Sequence, residues 1–235
     1  RFGCPVTFRM FMSQHSRVRP RVLALAVLAA TGLSLAPTIA GPWKPLFNGR
    51  DLSGWKVVNG QAPYAVYEGA IVGTTVADSP NSFLATEGSY GDFVLEFEVK
   101  QTVGPTNSGV QFRSRSNPEV MQGRVHGPQL DIDPSDRQWT GGIYDEARRG
   151  WLYPLEYNPE GKTAYKAREW NKARLECIGN VIRIWVNGTP TAHLVDDLTT
   201  RGFIALQVHS ISKKENAGQQ VRWRNIRIQT NNLKP

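Results

Sequence analysis

Three segments place polar side chains at every second position between apolar ones, a spacing that can gather acid–base groups on one face of a sheet. In Gln129-Leu130-Asp131-Ile132-Asp133, Leu130 and Ile132 face the core, so Gln129, Asp131 and Asp133 form a row on the other face. Same-face neighbours on a strand stand about 6.6 Å apart at Cα. Two carboxylates at that spacing raise one another's pKa, which makes a carboxyl group a usable acid or base near neutral pH. The competing reading is two solvated acids at a strand end, with Asp133-Pro134 opening a turn.

In Val110-Gln111-Phe112-Arg113-Ser114-Arg115, the apolar pair points inward and Gln111, Arg113 and Arg115 are predicted on the opposite face. An Arg there could hold a carboxylate or an enolate oxygen in its fork; otherwise it is a surface Arg on an amphipathic strand. In Ile204-Ala205-Leu206-Gln207-Val208-His209, the apolar residues again go inward, and Gln207 and His209 join the polar face. His209 is one of three histidines after residue 40. Alone it reads as a structural His; beside two acids and an Arg it is a candidate base or metal ligand.

These side chains need a sheet to present them. Phe93, Leu95, Phe97 and Val99 alternate with polar residues over Asp92–Lys100, the period of a half-buried strand. Tyr64 to Val72 reads as a hairpin turning at Glu68-Gly69. Ala173–Cys177 and Ile182–Val186 flank Gly179-Asn180, and Asn187-Gly188 marks the next turn. The last strands are Phe203 to His209 and Val221 to Gln229. No helical period lasts three turns, and no repeat of 20–50 residues is visible. Many short strands punctuated by Gly, Pro and Asn predict an all-β sandwich or barrel. Asp145 to Lys166, with two Gly and two Pro, reads as a long functional loop.

The chain has 235 residues, 28 Lys+Arg against 20 Asp+Glu, and a net charge of +8. Five of those charges are the arginines of residues 1–40, a stretch without an acid. The apolar run Val22–Ala36 follows Arg21, and Ile39 stands between the small residues Thr38 and Ala40. A basic start, a short apolar run and a small-x-small site predict a secretory signal peptide, with translation starting at Met10 or Met12 and residues 1–9 an upstream extension. The run is short for a stable membrane span. Export to the periplasm or the medium is expected, with no lasting membrane insertion after cleavage. Residues 41–235 then form one domain with a charge of only +3, which argues against a nucleic-acid partner. All seven Trp lie in it, and Cys177 is its single Cys. There is no Gly-x-Ser-x-Gly, phosphate-binding Gly-rich loop, His-Glu-x-x-His or dinucleotide fingerprint.

Phe47-Asn48-Gly49-Arg50-Asp51-Leu52-Ser53-Gly54-Trp55 resembles the opening motif of the 3-keto-disaccharide hydrolase family, and Asn107-Ser108-Gly109-Val110-Gln111-Phe112-Arg113 resembles a second of its motifs. Gly127–Asp133, Thr140–Asp145 and Arg148–Leu152 are similar to a subgroup's central block. Glu169-Trp170-Asn171, Val186-Asn187-Gly188, Gly202–His209 and Arg224-Asn225-Ile226 follow in order. Two departures stand out: Pro128 where an aromatic is common, and Asp131 where the longer Glu is common.

The resemblance implies a jelly-roll β-sandwich of the concanavalin A-like lectin/glucanase type, with its site on one sheet. It implies a substrate oxidised at C3 of a sugar, supplied by a separate dehydrogenase. The keto group acidifies C2–H, a base removes that proton, the aglycone leaves C1 by β-elimination, and water adds back. Such chemistry needs a base, an enolate stabiliser and an acid. The expected base is His209 or Asp131. Arg113 and a possible divalent metal on Asp131 and His209 are expected to hold the enolate, and Tyr144 or Asp133 to assist the leaving group. Gln129, Gln207, Gln111, Arg148, Arg149, Trp151, Trp170 and Asn171 are expected around the sugar. The alternatives are a two-carboxylate glycosidase using Asp131 and Asp133 and a non-catalytic carbohydrate-binding module.

Overall fold

The structure, a computed structural model, describes residues 41–102 and 106–233. The signal peptide and start-site readings fall on residues 1–40 and lie outside the described residues. In chain order the strands are β1 (Lys44–Pro45), β2 (Trp55–Val58), β3 (Tyr64–Tyr67), β4 (Ala70–Thr74), β5 (Ser82–Thr86), β6 (Phe93–Gln101), β7 (Ser108–Ser114) and β8 (Gly127–Ile132). They continue with β9 (Ile143–Glu146), β10 (Gly150–Tyr153), β11 (Asn171–Ile178), β12 (Val181–Val186), β13 (Thr189–Val195), β14 (Phe203–Val208) and β15 (Gln220–Gln229). One sheet runs β13-β12-β11-β6-β15-β4-β3, with β1 also on β15; the other runs β10-β9-β8-β7-β14-β5-β2. All pairings are antiparallel. This is the expected all-β jelly-roll sandwich.

The two inner faces share one apolar core. Phe93, Leu95, Phe97 and Val99 of β6 meet Val110 and Phe112 of β7, Leu130 and Ile132 of β8, and Leu206 and Val208 of β14. Each buried Leu, Ile or Phe side chain stabilises the sandwich by roughly 1.5–3 kcal/mol, so the alternation along these strands sets their facing. Phe83, Ala85 and Ala205 form a smaller apolar cluster on the opposite side of the seven-stranded sheet. Tight turns close the hairpins where the sequence marks them. Glu68-Gly69 and Asn187-Gly188 have φ of 50°/72° and 50°/85°, the left-handed pair that matches strand twist. The Asn187 side chain is committed there, donating to Ala164 O at 2.9 Å and Asn171 Oδ1 at 2.8 Å.

Asp145 to Lys166 is not one loop. The chain folds back after β9 into β10, with Ala147 and Gly150 at φ 57° and 75°, and then forms the short helix α1 (Pro159–Thr163). A four-residue strand and a one-turn helix are too short to show a period. Cys177 is buried and free, and burial pushes its thiol pKa up. Among the described residues no helix is long and apolar enough to cross a membrane.

Candidate active site

Four neighbouring strands, β14, β7, β8 and β9, build the site. Their inward residues are held by the core, so the pleat turns Gln207, Gln111, Gln129, Asp131, Tyr144 and Glu146 to the other face. Register aligns them in rows. Gln207 stands opposite Gly109, and Gly109 opposite Asp131. One row over, Gln111 pairs with Gln129, Gln129 with Tyr144, and Tyr144 with Trp151. The result is a cleft of about 420 Å³ lined by Gln129, Asp131, Tyr144, Trp151, Gln207 and His209, together with Asn81, Asn107, Arg124, Arg137, Glu146 and Ser210.

Asp131 is at its floor, 3% exposed. A chain of buried donors leads to it. Ser114 Oγ donates to Gln111 Oε1 at 2.7 Å, Gln111 Nε2 to Gln129 Oε1 at 2.8 Å, and Gln129 Nε2 to Asp131 Oδ1 at 2.8 Å. Asn107 Nδ2 reaches Oδ2 at 3.4 Å. Burial pushes the carboxyl from 3.8 up to about 7, against the lowering by Gln129; the charge of Asp133 adds to the rise and Asn107 opposes it. The dominant cause is desolvation, with the paired-acid effect read from spacing the smaller contribution. A carboxyl balanced near neutral pH can take a proton and give it back.

An aromatic wall stands beside it. Trp151 meets Tyr144 and Trp139 edge-on, with ring centroids 5.3 Å and 4.8 Å apart. The Arg137 guanidinium lies over Trp139 at 4.9 Å and Trp151 at 5.4 Å. Such a wall offers apolar faces to sugar C–H groups. His209 lines the cleft just past β14, its Nδ1 2.6 Å from Ser210 O.

Glu146 forms a further wall, outside the residues the sequence points to. Its Oε1 receives Arg124 Nη2 at 3.2 Å and Asn81 Nδ2 at 3.5 Å. Gln207 Nε2 approaches Oε2 at 3.5 Å, while Gln207 Oε1 is buried without a hydrogen-bond partner. Tyr144 and Glu146 are same-face neighbours on β9, but the charged Asp145 between them breaks the apolar–polar alternation that would mark Glu146. Arg124 and Asn81 come from loops that carry no such pattern.

Several expected residues lie elsewhere. Arg113 is fully buried, at φ 47°. A register shift leaves Phe112 and Arg113 of β7 facing Ile204 alone on β14. This bulge turns the side chain off the polar face: Nε donates to Gly91 O at 2.9 Å and Nη2 pairs with Asp92 at 3.1 Å. It is not in the cleft and cannot hold an enolate there. Gln111 is fully buried, spends its amide on its cross-strand partner Gln129 and does not line the cleft. Asp133, past the end of β8, accepts from Ser135 N at 3.2 Å and pairs with Arg137 at 2.7 Å, outside the cleft lining. Arg148 and Arg149 do not face a sugar either. Arg148 donates Nε and Nη2 to the buried Asp145, and Arg149 gives it Nε while forking onto Asp196 at 2.9 Å. Trp170 carries Arg224 on its ring at 4.0 Å, and Asn171 ties a loop by donating to Lys166 O and Glu169 O; β11 belongs to the other sheet.

The possible metal on Asp131 and His209 does not fit the donor set. Among the described residues no group of three or more His, Cys, Asp or Glu side chains could hold a metal ion, so these two lack a third protein ligand of that kind.

A family model described as a 3-keto-alpha-glucoside-1,2-lyase-like domain matches residues 42–229. No curated protein matches the chain. Among solved structures it is similar to a candidate glycosyl hydrolase from Parabacteroides distasonis at 19% identity, with TM-score 0.58, covering 80% of this chain and 93% of that one. A second such protein from that organism gives 21%, 0.54, 80% and 98%. A Bacillus subtilis protein of unknown function with a galectin-like fold gives 14%, 0.59, 82% and 97%. At these identities the likeness is one of fold.

Proposed function

The chain belongs to the 3-keto-alpha-glucoside-1,2-lyase-like family, and from that membership we propose an exported enzyme that cleaves glycosides already oxidised at C3. The observation that carries the reading is Asp131, a buried carboxyl held near pH 7 at the floor of a polar cleft. Its carboxylate takes the acidified C2 proton. The electron pair moves to the C3 oxygen, which receives hydrogen bonds from the side-chain amides lining the cleft. The enolate then collapses, the C1–O bond breaks, and the leaving oxygen takes a proton from Tyr144 or His209. Water adds across C1=C2, its oxygen to C1 and a proton to C2, so the net result is hydrolysis. Arg113 has no part, since it is packed away from the cleft.

The test is aglycone release from 3-keto-glucosides and their unoxidised parents by wild type and Asp131→Asn. Release from the keto substrates alone, lost in Asp131→Asn, is expected. Release from the parents would instead favour a two-carboxylate glycosidase, with Glu146 rather than Asp133 beside Asp131. Saturable binding without release would favour a binding module. The basic, apolar stretch before residue 41 supports export; fractionation of expressing cells should find the product outside the cytoplasm.

A further inference from the structure

A second cleft of about 430 Å³ adjoins the first and shares Asn81, Arg124, Glu146 and Ser210 with it. The two differ in chemistry. Where the first is walled by amides, acids and the Tyr144–Trp151 pair, the second adds Pro80, Phe83 and Met121. We infer that this second cleft binds the leaving group of the substrate, as a subsite for a ring with an apolar face, and that the Arg124–Glu146 pair marks the seam where the scissile bond lies.

Two observations carry it. Asn81, Arg124, Glu146 and Ser210 line both clefts, so the two lie side by side along the sheet. The far wall is built against its own backbone preference. Met121 and Gln122 hold φ of 50° and 56°, a region non-glycine residues rarely adopt, and Asn59 clamps the loop by donating to Gly123 O at 3.0 Å and accepting from Val125 N at 2.6 Å. That strained loop leaves the Met121 side chain 49% exposed. Strain of this kind is kept where the surroundings over-determine it, commonly at ligand sites.

The inference rests on the proposed function, in which the first cleft holds the already oxidised sugar, and its test reads binding rather than turnover. Titration of 4-nitrophenyl α-glucoside and methyl α-glucoside compares a ligand that fills both clefts with one that fills the first. Wild type should bind the aryl glucoside about tenfold tighter. Met121→Asp should collapse that ratio toward one; Asp tolerates the left-handed backbone at least as well as Met, so the loop is kept. Tyr157→Ala, an 88% exposed aromatic outside both clefts, should leave the ratio intact. Equal affinities in wild type, no saturable binding of either glucoside, or a ratio that survives Met121→Asp would each overturn the inference. An intact aryl preference in an enzyme that releases nothing from 3-keto-glucosides would sink the proposed reaction and leave the subsite standing.

Discussion

Gln129 donates its side-chain amide to Asp131 Oδ1 at 2.8 Å, although the two are same-face neighbours on one strand whose side chains ordinarily stand parallel. The contact is possible because Gly109 faces Asp131 across β7 and β8. A Cβ on Gly109 would overlap Gln129 Cδ and Nε2. The missing side chain makes room for the amide to fold over, and Gln111 fixes which end of it points at the acid.

Gly109→Ala should therefore push Gln129 off Asp131. The expected loss in kcat/KM is about tenfold or more, since one hydrogen bond to a charged group is worth roughly 1.5–3 kcal/mol. Unfolding midpoints should fall only modestly. An unchanged pH profile and rate would refute the role given to the glycine.

Asp131 couples activity and stability in opposite directions. Its carboxyl is raised from 3.8 to about 7 in the folded protein, so the folded state holds a proton that the unfolded chain has released between about pH 4 and pH 7. Stability should fall as pH rises through that window, by up to about 4 kcal/mol, and stay level above it. The rate should climb over the same range as the base is freed. Asp131→Asn should unfold at a higher temperature than wild type at pH 8 and at nearly the same one at pH 4; thermal melts at the two pH values decide this.

Arg113 separates structure from chemistry. Removing a buried guanidinium that holds Gly91 O and Asp92 should destabilise Arg113→Ala by about 3 kcal/mol. Below its melting point the variant should keep the wild-type KM. A specific loss of kcat in well-folded protein would mean that the side chain reaches the reaction after all.

Asp145 is fully buried with Arg148 and Arg149 both on its oxygens. Asp145→Ala leaves two guanidinium groups without their shared partner and should cost about 3–5 kcal/mol. Arg149→Ala should cost less, because the Arg148 fork remains and Arg149 is partly exposed. Denaturant titration of both variants gives the comparison, and glycoside affinity should be unchanged in Arg149→Ala.

The local pattern of apolar and polar residues determined a good part of this protein. The period of two in β8 and β14 turns Asp131, Gln129 and Gln207 to one face, because burying Leu130, Ile132, Leu206 and Val208 leaves no other orientation. Asn187-Gly188 and Glu68-Gly69 set two hairpins through their own backbone preferences. Tertiary structure alone decided the rest. One extra residue in β7 relative to β14 sends Arg113 away from the face its spacing predicts. Arg148 and Arg149 turn to Asp145 because a buried carboxylate needs partners for both oxygens. Arg124 and Asn81 meet Glu146 from 22 and 65 residues away, a meeting set by how strands register across the sheet. Alternation is a local property of a strand and can be read along the chain, whereas a bulge or a loop's arrival depends on which strand lies alongside.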